Sequence, residues 1–177
     1  MQPPKFCSTC GSKLHLKMRD VLERLVCSDD TCDYVFWNNP TPVVGAIVQQ
    51  GDNVVLVQNV GWPKHWFALV TGFLEANESP ESGIAREMEE EIGIAPKSVN
   101  LIGLYPFFRM NQLLIIYHAE IDENAEIVLQ ASELADYRKV PISEVQPWDA
   151  GTGHGLRDWL RTQGYERELI PLNEIKS

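Results

Sequence analysis

The chain has 177 residues, 44% hydrophobic and 9% aromatic, enough for one core of roughly 140 residues plus a small appendage and too apolar for a disordered chain. Its 15 basic and 25 acidic side chains give a net charge of −10, a sign that repels a phosphate backbone and argues against extended nucleic-acid binding. No stretch has the length and apolarity of a signal peptide or a membrane span, so the expectation is a cytosolic protein without a membrane partner.

Residues 1–40 are expected to form a zinc ribbon. All four cysteines lie here, as Cys7-x2-Cys10 and Cys27-x4-Cys32, and two short-spaced pairs present four thiolates to one tetrahedral Zn²⁺ at about 2.3 Å. A reducing cytosol disfavours disulfides, and four sulfurs leave no open position for catalysis. The ion is therefore structural, one per chain. Five bases balance five acids in this segment, so the sum offers no basic stripe for nucleic acid.

After the turn-rich stretch Asn38 to Pro42, residues 41–177 form the main domain. Val43 to Gln50, the turn Gly51-Asp52-Asn53 and Val54 to Gln58 read as a strand hairpin. Short strands are expected at 66–70 and 73–75, on either side of Gly72. Ser79-Pro80-Glu81 combines an N-cap, a first-position proline and a first-turn acid, and Gly93 supplies a stop, which predicts a helix over 80–92. Strands at 99–108, 112–121 and 137–140 and a helix near 154–162 complete an α/β sandwich.

The middle of the chain concentrates charge. Residues 72–94 hold seven Glu and only Arg86, a net of −6. At 100° per residue from Ile84, Met88, Ile92 and Ala85 fall between about 40° and 100°, an apolar face for the sheet. Glu91, Glu87 and Glu90 fall near −20°, −60° and −120°, a fan that starts at the edge of that face. Like charges on adjacent turns repel, and a divalent cation relieves the repulsion; hard oxygens suit Mg²⁺ or Mn²⁺. The plain alternative is a solvated acidic face.

Gly72-x5-Glu78-x7-Arg86-Glu87-Met88-x-Glu90-Glu91-x-Gly93-Ile94 resembles the Nudix box at every defined position. The resemblance to Nudix hydrolases implies an α/β/α sandwich over residues 41 to about 165 and hydrolysis of a nucleoside diphosphate linked to another group. It implies that Glu87, Glu90 and Glu91 hold the catalytic metal and that one of them, or an acid elsewhere, is the general base. By the same resemblance Arg86 and Glu78 brace the loop and helix, Gly72 opens the box and Gly93 closes it, and the Thr71 carbonyl is a further metal ligand.

A zinc ribbon before this box resembles the NADH pyrophosphatase branch, which implies a homodimer and makes Glu120, in His118-Ala119-Glu120, a fourth metal carboxylate. The rival for Glu120 is an ordinary strand-end acid. Leu104 to Gln112 keeps only a proline followed by an aromatic from that branch's specificity motif, so the substrate expectation spans NADH, FAD, ADP-ribose and nucleotide sugars. Candidate substrate contacts are Trp37 after the ribbon, Phe107 or Phe108 stacking on a base and Arg109 on a phosphate; on a strand the two Phe alternate, so at most one faces the pocket, and core packing is the rival for each. Other classes carried forward are a Nudix-fold nucleotide-binding regulator without catalysis and removal of a nucleotide cap from RNA.

Overall fold

The computed structural model describes residues 3–171. The chain divides after Pro40 into two compact units.

In the first unit, β1 (Leu14–Arg19), β2 (Leu22–Cys27) and β3 (Val35–Phe36) form an antiparallel sheet in that order. Leu14 stands opposite Cys27 and Arg19 opposite Leu22, with Asp20 at φ 57° in the tight turn between them. The four cysteine sulfurs approach within 4.8 Å of one another. Thr9 N–H donates to Cys7 Sγ at 3.3 Å and Asp29 N–H to Cys27 Sγ at 3.4 Å; each knuckle thereby turns its backbone donors toward a sulfur that carries negative charge once ionised.

The second unit is a mixed sheet between two helices. Its strands are β4 (Thr41–Gln50), β5 (Asn53–Asn59), β6 (Val70–Phe73), β7 (Ser98–Phe107), β8 (Gln112–Glu120) and β9 (Leu134–Pro141); the helices are α1 (Pro80–Ile92) and α2 (Gly153–Thr162). The order is β7-β8-β4-β5-β9, with β6 also paired to β4. Along one side of β4, residues Val43–Ala46 pair with β6 and Val48–Gln50 with β5; along the other side β8 runs parallel from Thr41/Gln112 to Gln49/Glu120.

Alternation along β4 divides the core. Val43 and Ile47 face α2 with Leu156, Trp159 and Leu160, while Val44, Ala46 and Val48 face α1 with Ile84, Met88 and Ile92. Strand residues buried on both faces read as a continuous apolar run, which is the Val43 to Val48 pattern. The α/β/α sandwich expected from the sequence is the observed architecture, and α1 has the expected limits. Ser79 Oγ accepts from Ser82 N–H at 3.2 Å, and Gly93 at φ 72° closes the helix with its N–H on the Glu89 and Met88 carbonyls.

One segment differs. The sequence suggests strands at 66–70 and 73–75 interrupted at Gly72, but a single strand, β6, runs through Gly72, which pairs with Val44. Upstream only Ala68 touches a strand, bridging Val57. The glycine there is not a break: a Cβ on Gly72 would lie 1.8 Å from Glu87 Cδ, so its bareness lets the helix carboxylate cross the strand.

Candidate active site

Arg86 organises the acidic helix. Its Nε and Nη2 donate to Glu78 at 3.2 and 2.8 Å, Nη1 to Glu87 at 2.8 Å and to Glu90 at 3.0 Å, and Nη2 also to the Phe73 carbonyl at 3.2 Å. Glu78 Oε1 accepts in addition from Glu75 N–H at 2.7 Å, and these bonds hold the Glu78 carboxyl below its ordinary range. One planar guanidinium thus fastens the loop after β6 to α1 while serving as counter-ion to two neighbouring glutamates. At the helix start, Tyr117 O–H donates to Glu81 at 3.0 Å.

Glu91 is the least comfortable charge in the unit. It is 5% exposed; burial, then the negative charges of Glu87, Glu133 and Glu90, push its carboxyl up to about 8. Burial also raises Glu87, against the pull of Arg86. This is the pattern of a cluster whose ionised form awaits positive charge.

These acids border a cavity of about 680 Å³, within the range of small-molecule sites. Glu75, Arg86, Glu87, Glu90, Glu91 and Glu133 form its polar wall with Thr71 and Gly72; Trp62, Trp66, Phe67, Leu69, Phe107 and Trp148 form its apolar wall. Trp62 and Trp66 meet edge to face at 6.4 Å, and Gln58 Nε2 pins their loop through the Pro63 and Trp66 carbonyls at 3.0 and 3.4 Å. Among the described residues the four cysteines are the only group of three or more whose ligand atoms all lie within 4.8 Å of one another; the carboxylates line the cavity without forming such a group, Glu87 and Glu90 being drawn to Arg86.

The sequence expectations divide accordingly. Thr71, Gly72, Arg86, Glu87, Glu90, Glu91 and Phe107 line one cavity, and Glu78 joins through Arg86. Glu120 does not: it is exposed at the far end of β8, opposite Gln49, whereas Thr71 pairs with Gly45, a gap of about 13 Å along the strand. The additional acid is Glu133, just before β9. Phe108 and Arg109 also fail as cavity residues. β7 ends at Phe107 and turns through a 3₁₀ segment, Phe108–Met110, closed by Asn111 at φ 51°, so strand alternation no longer applies and Phe108 is 87% exposed. Trp37 belongs to the ribbon unit, where Arg24 lies over its ring. Gly151 and Thr152, at the start of α2, reach the cavity wall, and Thr152 makes no side-chain cap bond.

Sequence reasoning missed Glu133. Glu133 is a lone acid in a loop without motif spacing; the only available signal was the polar tract between two strand patterns.

Comparison with known proteins is consistent across both units. The family model described as NUDIX domain matches residues 39–161, and the one described as Nudix N-terminal, a zinc ribbon, matches residues 5–38. A Pseudomonas putida protein named NAD-capped RNA hydrolase NudC is 26% identical over 149 residues, 83% of this chain and 51% of its own length. A Mycobacterium tuberculosis protein of the same name is 38% identical over 98 residues, 54% of this chain and 31% of its own. The chain therefore spans about a third to a half of the curated relatives it matches. In fold it is similar to a NUDIX hydrolase from Nitrosomonas europaea, with a TM-score of 0.75 at 23% identity over 94% of this chain and 96% of that one. No helix among the described residues is long and apolar enough to cross a membrane.

Proposed function

The chain belongs to the NUDIX domain family, and on that premise we propose that it hydrolyses the pyrophosphate bond of a nucleoside diphosphate joined to another group, such as NADH, FAD, ADP-ribose or a nucleotide sugar. The observation that carries this reading is the buried Glu91 repelled by Glu87, Glu90 and Glu133, all four lining one cavity together with Trp62, Trp66 and Phe107. The donor set fits a hard divalent cation, Mg²⁺ or Mn²⁺, with Glu87, Glu90, Glu91, Glu133 and the Thr71 carbonyl as its holders. The bound cation supplies the positive charge that an anionic diphosphate needs beside so many carboxylates, and it aligns the attacking water.

The residues divide the remaining work. Arg86 keeps Glu87 and Glu90 aimed at one region and the loop closed on the helix. A carboxylate of the cluster takes the proton of a water molecule whose oxygen attacks phosphorus. The bridging P–O bond breaks, and two phosphate monoesters leave when the linked group is a nucleotide or a sugar. Phe107, Trp62 and Trp66, which line the same cavity, offer flat apolar surface to the base. We further propose that the chain works in the cytosol, whose reduced thiols suit zinc ligation, and as a homodimer.

A hydrolysis panel with Mg²⁺ or Mn²⁺ over NADH, NAD⁺, FAD, ADP-ribose, nucleotide sugars and capped RNA tests the reading, with Glu90→Gln alongside. Turnover of at least one compound that collapses in the variant is expected. No turnover across the panel, or a variant as active as the parent, refutes it and favours a nucleotide-binding regulator.

A further inference from the structure

The ribbon's five bases and five acids sum to zero, yet the pairing of β1 with β2 sorts them. Side chains alternate along a strand, and directly opposed residues share a face. His15, Lys17 and Arg19 stand opposite Val26, Arg24 and Leu22, so His15, Lys17, Arg19 and Arg24 occupy one face. Lys13, two positions before His15, continues the series. The other face takes Leu14, Leu16 and Met18 with Cys27, Leu25 and Glu23. The remaining acids lie off the hairpin faces: Asp20 sits in the turn, Asp29 accepts from Thr31 N–H and O–H at 2.9 and 2.7 Å, and Asp30 and Asp33 flank Cys32.

An aromatic ring completes the basic face. Phe36 pairs with Leu25, which brings the next residue, Trp37, level with Arg24. The Arg24 guanidinium lies 5.1 Å from the Trp37 ring centroid and donates to the Trp37 carbonyl at 2.7 Å, while the ring stays 48% exposed. Lys17 directly opposite Arg24 is a like-charge pair that weakens a hairpin; folding gains nothing from it, and a polyanion relieves it.

We propose that this face of the ribbon docks a single-stranded nucleic acid. Lys17 and Arg19 stand two residues and about 6.6 Å apart, with Lys13 about 13 Å before Lys17 and His15 between them, which suits the opened phosphate spacing of a stretched strand over the ~3.4 Å axial rise of a stacked one. Trp37, steadied by Arg24, offers a π-face to a base, and cations beside an exposed aromatic are the elements of sequence-tolerant single-strand binding. An acidic peptide would satisfy the cations but leave the ring without a stacking partner. The chain's net −10 does not prevent local docking, because screening limits each charge to about 8 Å at physiological salt. The proposal is independent of the hydrolytic reading.

Fluorescence anisotropy of the zinc-loaded chain with a short labelled oligouridylate tests it. Binding is expected at roughly 50 mM salt and is expected to fall steeply by roughly 200 mM. Lys17→Glu/Arg19→Glu should weaken binding about tenfold or more and lower the log–log salt slope by about 1.4, two phosphate contacts at about 0.7 each. Lys17→Gln/Arg19→Gln, with zinc content measured, gives the same direction should the reversal disturb the hairpin. Lys139→Glu, exposed on β9, should have less effect than Lys17→Glu although the net charge change is equal. The proposal is overturned by absence of binding at low salt, by equal losses from Lys139→Glu and Lys17→Glu, or by duplex RNA or inorganic polyphosphate competing as well as unlabelled single strand.

Discussion

Glu91→Gln should stabilise the cation-free protein while disabling the site. The Glu91 carboxyl sits at about 8, against about 4.3 in an unfolded chain. A raised carboxyl contributes stability that is complete below the unfolded value and is lost as pH rises through the folded one. At about 1.4 kcal/mol per unit, the parent at pH 7 has already lost about 4 kcal/mol relative to acid conditions. Gln keeps the shape without the charge, and burying its amide returns part of the gain, leaving about 1–2 kcal/mol. For a chain of this size that raises Tm by about 2 to 8 °C. Thermal unfolding in Mg²⁺- and Mn²⁺-free buffer from pH 6 to 9, with the ribbon's zinc content checked, measures it, and the gap between variant and parent should widen up to about pH 8 and then level off. Adding Mg²⁺ should reverse the order, since a ligand bound only by the folded parent stabilises it by mass action. A variant less stable than the parent in the cation-free state, with a parallel pH profile, would show that Glu91 is not a stored electrostatic strain.

Other outcomes follow from the same geometry. Gly72→Ala places a Cβ 1.8 Å from Glu87 Cδ, so Glu87 must move; kcat should fall by about a hundredfold, as for other displacements near 1 Å in an active site, read by steady-state assay. Arg86→Met strips Glu78, Glu87 and Glu90 of their shared partner and should cost about 1–2 kcal/mol in urea unfolding, since the group is partly exposed, with activity lost beyond that. Elemental analysis should find about one zinc per chain, and Cys27→Ser should lose it together with protection of the β1–β2 amides in hydrogen exchange; retained zinc would refute the four-sulfur site.

The legibility of the sequence varied with the range of the interaction. Helix α1 could be read to the residue because its cap, proline and terminal glycine act within one turn. The box acids could be read because their spacing places them on one helix face. Glu133 could not, since it reaches the cavity only when the loop before β9 folds against Val60, whose N–H donates to the Glu133 carbonyl at 2.7 Å, a contact across more than seventy residues. Glu120 was misassigned for the converse reason: its local pattern is right, but the pairing of β8 with β4 carries it past the site. In the ribbon the neutral sum concealed an ordered distribution, because composition averages over the alternation that separates Lys17 from Glu23.

The parallel pairing of β4 with β8 has a kinetic side. Thr41 meets Gln112, 71 positions later, with β5, β6, α1 and β7 all in the interval. Closing a loop of that length costs about 4 kcal/mol of chain entropy before any contact across it is gained, and non-local pairings of this kind slow folding. Helix α1 packs on Val44, Ala46 and Val48 together with Tyr117 and Ala119 of β8, so its docking surface is incomplete until that loop shuts. The acidic helix therefore seats late in folding, and cation uptake during refolding would serve as a clock for the β4–β8 closure.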